Sequence, residues 1–179
     1  MTADYNGVRG QPLRQGVAAA ILQTSTYAHM NLAVGLETAG QYRNQWNVCA
    51  GGADGAEIDR AGNVCYLQTL RRELGEEFKL VCNEWRQFDA IFKTAGHFDY
   101  FIVNGTPVFI GFMPSAVHRA DIRRQMAAHN NNFHASRSLQ EMQDFEYCNL
   151  GTGRSPEGRV LLRTGFTNAI IRELLAQGF

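Results

Sequence analysis

Short apolar runs bounded by polar or turn-forming residues dominate the first fifty positions. Residues 17–22 and 32–36 form two such runs, a pattern typical of strands covered on both faces or of an interior hairpin. A third run, residues 46–50, leads into Gly51-Gly52, where a glycine pair permits backbone angles closed to other residues. The pattern predicts three strands, the third of which ends at the glycine pair.

The hydrophobic period changes after residue 63. Apolar residues then recur every three or four positions, which predicts one buried helix face over residues 64–78. These residues are Val64, Leu67, Leu70, Leu74 and Phe78. Asn63 is the expected N-cap of this helix, and residues 53–63 are expected to form a loop because they are rich in glycine and acidic side chains.

The second half of the chain alternates strand and helix signals. Two apolar runs, residues 98–103 and 108–112, flank Asn104-Gly105, and this arrangement is a strong hairpin signal. Downstream, the pattern predicts a helix over 120–128, a strand over 145–150 and an amphipathic helix over 167–176. Strands mixed with helices in 179 residues indicate a single domain, residues 1–179, with an α/β or α+β sandwich.

Composition and charge narrow the classes of function. Apolar residues make up 45% of the chain and charged residues 19%, as in ordinary globular domains. The formal net charge is zero, so no overall field favours nucleic acid or anionic lipid. The sequence shows no signal peptide and no apolar span long enough to cross a membrane, and we therefore expect a cytoplasmic protein without a membrane partner. The four cysteines lack the spacing of a zinc site or a disulfide framework.

A cluster of three carboxylates is the first feature of the sequence that indicates a metal-binding function. Glu73, Glu76 and Glu77 are spaced by three and four residues, so they cover less than a third of a helix circumference. Like charges placed this way repel each other, whereas Mg²⁺ favours such hard oxygen ligands. The alternative from spacing alone is an ordinary solvated acidic face.

The wider segment resembles a known family motif. Trp46, the glycine pair and the run Arg72-Glu73-Leu74-Gly75-Glu76-Glu77 together resemble the Nudix box of the Nudix hydrolase superfamily, with residues 51–80 as the box-like segment. Three departures stand out. The loop before Arg72 is six residues longer than usual, Val64 replaces an early glutamate, and Lys79 replaces a glycine. Glu57, in the longer loop, is a candidate substitute for that glutamate.

The resemblance implies a Nudix-type α/β/α sandwich with a mixed sheet and a catalytic loop-helix-loop. It also implies Mg²⁺- or Mn²⁺-dependent hydrolysis of a nucleoside diphosphate linked to another group. By family analogy Glu76 and Glu77 are metal ligands, Glu73 is a ligand or the catalytic base, and Gly52 contributes its backbone to the metal site. Arg72 is expected to orient a carboxylate rather than to touch the substrate.

A fourth acidic group is expected from a segment that precedes a late strand. Many family members carry such a residue before a strand with an aromatic and, three residues later, an aliphatic side chain, which Tyr147 and Leu150 match. Glu141 is therefore the expected additional catalytic residue. The competitors are Glu146, Asp144 and Glu57, and the absence of a fourth group is a further possibility.

Arginines near residue 120 suggest where the substrate is held. Arg123 and Arg124 lie in a locally basic stretch, and we expect them to bind substrate phosphates; the alternative is a solvated helix face. The expected partner is a small nucleotide-type substrate, with RNA only if the enzyme removes mRNA caps. A nucleotide-binding module without catalysis is the other alternative. The sequence leaves the oligomeric state open, with a homodimer as one possibility.

Overall fold

A mixed seven-stranded sheet forms the centre of the molecule. The computed structural model describes residues 9–10, 16–113, 119–132 and 142–179. The strands are β1 (Arg9–Gly10), β2 (Gly16–Gln23), β3 (Asn31–Glu37), β4 (Trp46–Asn47), β5 (Cys49–Gly52), β6 (Val64–Cys65), β7 (Lys93–Thr94), β8 (His97–Phe98), β9 (Tyr100–Val103), β10 (Thr106–Phe112) and β11 (Met142–Asn149). The helices are α1 (Tyr66–Glu77), α2 (Trp85–Phe92), α3 (Arg119–Asn132) and α4 (Gly165–Ala176).

Two long strands of the sheet, β2 and β3, separate like a fork, and two short strands, β4 and β5, pair with them where they separate. The main path runs β11-β3-β2-β10-β9, and only the β2–β10 pair is parallel. β2 and β3 are paired at one end, through Leu22 and Leu32, and then separate. β4 continues the sheet along β3 and β5 continues it along β2. The fork therefore brings residues 46–52 into the middle of the sheet.

Both faces of the sheet are covered, as the apolar run in β2 requires. Val17, Ala19 and Ile21 join the core beneath α1 and α2, whereas Ala18, Ala20 and Leu22 join the core beneath α4. Successive strand residues point to opposite faces, so a run that is apolar at every position needs a layer on each side. The result is an α/β/α sandwich, which confirms the expected fold class.

Most of the predicted elements are present. The hairpin turn has positive φ at both Asn104 (50°) and Gly105 (80°), the geometry that Asn-Gly favours. The late strand spans Met142–Asn149. The last helix begins two residues earlier than expected, because Thr164 is its N-cap and accepts a hydrogen bond from the Thr167 N–H at 3.0 Å.

One expectation needs correction, and one helix was not predicted. Asn63 does not cap α1, since Val64 and Cys65 first form a short strand with β1 and the helix begins at Tyr66. Instead, the Asn63 N–H donates to Asp59 Oδ1 at 2.9 Å and helps close the preceding loop. The pattern analysis also did not predict α2, although its buried Phe88, Ile91 and Phe92 have helical spacing. Among the described residues, no helix is long and apolar enough to cross a membrane.

Candidate active site

The three predicted carboxylates of helix α1 differ in how far they are buried. Glu73 and Glu77 are one helical turn apart and almost fully buried, with 4% and 3% of each residue exposed. Half of the Glu76 side chain is exposed. The structure therefore separates the three predicted carboxylates into a buried pair that faces the sheet and a third group at the helix surface.

Backbone groups of β5 hold the buried pair. Glu77 Oε2 accepts a hydrogen bond from the Ala50 N–H at 2.9 Å. The Glu73 carboxylate occupies the space in front of the Gly51 Cα, where a Cβ would overlap its Cδ and both oxygens. The close approach of the Glu73 carboxylate to the backbone therefore requires glycine at position 51, because any side chain there would displace Glu73.

Arg72 links the loop before the helix to the carboxylates. Its guanidinium donates to Glu57 Oε1 at 2.9 Å, to Glu76 Oε2 at 2.9 Å and to the Gly52 carbonyl at 2.7 Å, and it pairs with Glu73 Oε1 at 2.8 Å. Hydrogen bonds from Arg72 to Glu57 are the main reason that the pKa of Arg72 is raised. Arg72 therefore contacts Glu73, Glu76 and the Gly52 carbonyl, and its expected role of orienting a carboxylate stays a prediction.

Glu57 is brought into the same network. Its side chain accepts from the Thr69 hydroxyl at 2.8 Å and from the Asp54 N–H at 2.9 Å, in addition to Arg72. Burial raises the pKa of Glu57, but the hydrogen bonds from Arg72, Asp54 and Thr69 together outweigh that effect and hold its pKa below the ordinary value. Glu57 is therefore anchored as an ionised partner of Arg72.

The donor chemistry of this region suits a hard divalent cation. Glu73, Glu76 and Glu77 offer only carboxylate oxygens, and the glycine at position 51 leaves room for a carboxylate against the backbone. Among the described residues, no three acidic, histidine or cysteine side chains come together in a ready-made metal site. The reason is visible in the contacts, since Arg72 holds Glu76 and Glu73 while Glu77 turns to Ala50.

An open cleft adjoins the buried carboxylates. Its volume is about 490 Å³, and ten described residues line it: Gly16, Val17, Tyr42, Asn47, Ala50, Gly51, Asn104, Thr106, Gly165 and Phe166. Ala50 and Gly51 belong to both sites, because the same two residues contact Glu77 and Glu73. Strand β5 therefore lines the cleft and also contacts Glu73 and Glu77, although neither glutamate is among the described lining residues.

Comparison with known proteins identifies the fold. No protein-family model and no curated protein sequence matches the chain. The NUDIX domain of NrtR from Shewanella oneidensis, solved in complex with ADP ribose, matches with a TM-score of 0.50 and 10% sequence identity, over 98% of this chain and 94% of that chain. A bifunctional NMN adenylyltransferase/ADP ribose pyrophosphatase from Francisella tularensis matches with a TM-score of 0.51 and 15% identity, over 94% of this chain and 42% of that chain.

The chain has the Nudix fold. At these identities the likeness shows the fold alone, so the chemistry has to be argued from the residues of this chain. In this chain the box-like segment runs from Gly51-Gly52 at the end of β5 to Arg72 to Glu77 on α1.

Two of the departures from the Nudix box acquire a structural explanation. The longer loop carries Glu57 back to Arg72, so a glutamate reaches the arginine although Val64 is an apolar core residue. Lys79 has φ of 56°, the left-handed conformation that glycine adopts most easily, directly after the helix end at Phe78. Lys79 thus adopts a backbone conformation that favours glycine, the residue it replaces in the Nudix box.

The arginines predicted to bind substrate are placed elsewhere. Arg123 donates to Asp144 Oδ1 at 2.9 Å, to the Phe145 carbonyl at 2.8 Å and to Glu146 Oε2 at 3.1 Å. Arg124 is exposed and pairs with Asp121 one turn earlier in α3. Neither is among the described residues that line the cleft. Their role toward substrate stays a prediction, and ion pairing within the chain accounts for both positions.

Three of the four candidates for a fourth acidic group also form ion pairs within the chain. Glu146 and Asp144 both pair with Arg123, and the buried Glu146 also accepts from Arg119 at 2.8 Å. Glu57 pairs with Arg72. Glu141 lies outside the described residues, so its predicted role stays a prediction.

Asn47 is the site residue that the sequence analysis did not single out. It lies on β4 at the cleft wall, with 9% of its surface exposed, and makes hydrogen bonds to residues distant in sequence. The sequence feature that could have revealed Asn47 is its polar side chain within the otherwise apolar run of residues 46–50. A buried polar residue in such a strand indicates a specific partner or a ligand.

Proposed function

We propose that the chain is a Mg²⁺- or Mn²⁺-dependent pyrophosphohydrolase that cleaves the diphosphate linkage of a nucleoside diphosphate derivative. The observation that supports this most is the buried pair Glu73 and Glu77, held on the β5 backbone beside an open cleft. Two carboxylates buried one turn apart repel each other and lose hydration, and a divalent cation would offset both costs.

Glu73, Glu76 and Glu77 would hold the metal, with the backbone of the glycine pair nearby. A bound divalent cation would neutralise the diphosphate, polarise its P–O bonds and lower the pKa of an attacking water. Arg72 holds Glu73 and Glu76 in place, and Glu57 fixes Arg72. Hydrolysis adds one water across the P–O–P linkage and releases two monophosphates, and Glu73, or Glu141 as predicted from the sequence, would accept the proton of that water.

The structural neighbours are consistent with this class of substrate. One was solved with ADP ribose and the other is described as containing an ADP ribose pyrophosphatase. ADP ribose is a diphosphate that joins two uncharged groups, so it is the first substrate to assay. Removal of mRNA caps has less support, because Arg119 and Arg123 of the basic stretch are paired with carboxylates.

The test compares Glu77→Gln with Glu173→Gln, an exposed carboxylate on α4. Glu77→Gln keeps an oxygen for the Ala50 N–H and removes one negative charge, so the fold should persist while turnover falls by about 100-fold or more. Hydrolysis of ADP ribose, dinucleoside polyphosphates, nucleotide sugars and nucleoside triphosphates should be measured with Mg²⁺ and with Mn²⁺. A folded Glu77→Gln protein with full activity would exclude Glu77 as a metal ligand.

One observation favours a second function, a nucleotide-binding module without catalysis. Arg72 lies within 2.8 Å of Glu73 and 2.9 Å of Glu76, and it already supplies positive charge to both. Titration of the protein with Mn²⁺, followed by electron paramagnetic resonance, separates the two functions. The module predicts nucleotide binding that is unaffected by Mn²⁺ and no turnover, whereas the enzyme predicts Mn²⁺ binding that Glu77→Gln weakens.

A further inference from the structure

The central sheet has two edge strands, β9 and β11, which differ in how their outer backbone groups are bonded. On β11, charged side chains bond to these groups. The Phe145 N–H donates to Asp144 Oδ1 at 2.8 Å, and the Phe145 carbonyl accepts from Arg123 at 2.8 Å. The Tyr147 N–H donates to Glu146 Oε1 at 2.9 Å. Charged side chains at an edge hinder pairing with a further strand, so β11 is protected.

The backbone of β9 has no such protection. The Asp99 carbonyl, directly before β9, accepts from the Ile110 N–H of β10 at 2.9 Å. Residues that bond to the neighbouring strand alternate along an antiparallel pair, so Asp99 and Phe101 bond to β10. The N–H and C=O groups of Tyr100 and Ile102 therefore point away from β10. Among the described residues, none bonds to these four outward groups.

The side chains of β9 leave this edge uncharged and partly apolar. Tyr100 is 48% exposed and Ile102 is 63% exposed. Residues 100–103 include no charged residue and no proline, the residue types with which proteins commonly block an edge strand. An uncharged edge with free backbone groups is a template for an added strand.

The four outward groups of β9 are complementary to the same groups of a second copy. In an antiparallel pairing with a two-fold axis at Phe101, Tyr100 of each copy lies opposite the partner's Ile102. Each of these two pairs exchanges two hydrogen bonds, so every outward group is bonded. An axis at Tyr100 or at Ile102 bonds fewer groups, because the other residue then lies opposite a position outside β9.

The neighbouring side chains suit the same register. Phe101 lies beside the partner's Phe101 at a position without hydrogen bonds, where cross-strand aromatic pairs are favourable. Asp99 lies opposite the partner's Val103, so no like charges face each other. The match is reciprocal, which is the property of a two-fold interface between identical chains. The occupant that this edge fits is therefore another copy of the chain.

We propose that β9 is a self-association surface, on which a second copy of the chain pairs antiparallel around Phe101 and joins the two sheets into one. The inference does not depend on the proposed hydrolysis, since it uses only the backbone and side chains of β9. Asn104, in the turn that follows β9, is among the residues that line the cleft, so the paired strands end next to the cleft.

Sedimentation equilibrium of the full chain, from about 5 to about 500 µM, tests the association. Pairing of two four-residue strands buries less area than the roughly 1,200 Å² of the smallest stable interfaces, so we expect a dimer with a Kd of about 10–100 µM. A protein that stays monomeric over the whole range would overturn the inference.

A matched pair of variants locates the interface. Ile102→Lys places a charge on the free edge and should raise the dimer Kd by about tenfold or more. Leu162→Lys makes the same change of charge at an aliphatic residue that is 67% exposed and lies outside β9, and its Kd should stay within about twofold of the native value. Equal weakening in both variants, or none in Ile102→Lys, would contradict an interface at β9.

Cysteine cross-linking tests the register. In the proposed pairing the two Phe101 Cα atoms lie about 4.5 Å apart, within disulfide range, so Phe101→Cys should form a covalent dimer on oxidation with diamide. Tyr100→Cys and Ile102→Cys should not, because each is offset from its own copy by two residues, roughly 7 Å along the strand. The native protein, whose four cysteines are buried, is the background control.

The cross-linking results have distinct meanings. A covalent dimer of Tyr100→Cys or Ile102→Cys in place of Phe101→Cys would overturn the proposed register. Ile102→Lys changes an exposed side chain, so it still tests the surface if Phe101→Cys does not fold. Dimer formation without any hydrolysis would support the inference and leave the enzyme to be judged by its own test.

Discussion

The carboxylate of Glu73 lies against the Cα of Gly51, in the space that a side chain at position 51 would occupy. The contact joins the helix that carries the predicted ligands to the strand that forms the cleft wall. It makes the position of Glu73 depend on a residue that has no side chain of its own.

Replacement of Gly51 should therefore damage the site more than the fold. We expect Gly51→Ala to displace Glu73 and to lower kcat/KM by about 100-fold, the cost of misplacing a catalytic group by about 1 Å. Gly75→Ala is the matched control, because the nearest atom to its new Cβ would be Val81 Cγ2 at 3.9 Å. That variant should keep its activity and gain about 0.5–1 kcal/mol of stability from the helix position. Full activity in Gly51→Ala would show that Glu73 tolerates displacement.

Lys79 should be a source of strain at the end of α1. Its φ of 56° disfavours any residue with a Cβ, so Lys79→Gly should raise the free energy of unfolding by about 1 kcal/mol. In a chain of this length that corresponds to an increase in Tm of about 2–4 °C. Lys79→Ala separates the two effects, since it retains the Cβ and loses the ammonium that donates to the Glu76 carbonyl. Equal Tm values for the two variants would contradict a role for backbone strain.

Arg123 and Arg124 should differ in their effect on stability. Arg123→Met deprives the buried Glu146 of one guanidinium while Arg119 remains, so we expect a loss of about 1–3 kcal/mol in thermal or urea unfolding. Arg124→Met removes an exposed pair with Asp121 and should cost about 0.5 kcal/mol or less. An unchanged stability of Arg123→Met, combined with a raised KM, would instead favour the predicted role in substrate binding.

Low pH should weaken the ion pair between Arg119 of α3 and Glu157, which lies in the segment that follows β11. The hydrogen bond from Arg119 lowers the pKa of Glu157 to about 2, from an ordinary value of 4.5. A lowered pKa in the folded state stabilises the protein above pH 4.5, and this contribution disappears as the pH falls toward 2. The difference in Tm between native protein and Glu157→Gln should therefore be present at pH 6 and shrink below about pH 4.5. Glu173→Gln, which also removes one exposed carboxylate, is the control, and a difference that does not vary with pH would exclude this linkage.

Local patterns were sufficient for most of the elements. The apolar run of residues 17–22 determined a strand covered on both faces, since each successive side chain needs a buried environment. The Asn104-Gly105 turn and the helical spacing of Leu67, Leu70 and Leu74 likewise reflect short-range geometry. The presence of Glu73, Glu76 and Glu77 on one helix followed from the same periodicity.

Tertiary structure decided which of these residues work together. Helical spacing could not show that β5 would bury Glu73 and Glu77 and leave Glu76 exposed, because that depends on which face of α1 meets the sheet. The pairing of Glu57 with Arg72 spans fifteen residues, and the bonds from Asn47 to Thr164 and Thr167 span more than one hundred. Contacts between residues so far apart in sequence produce no periodic pattern in a single sequence. They arise only when the forked sheet and its two helical layers bring distant segments together.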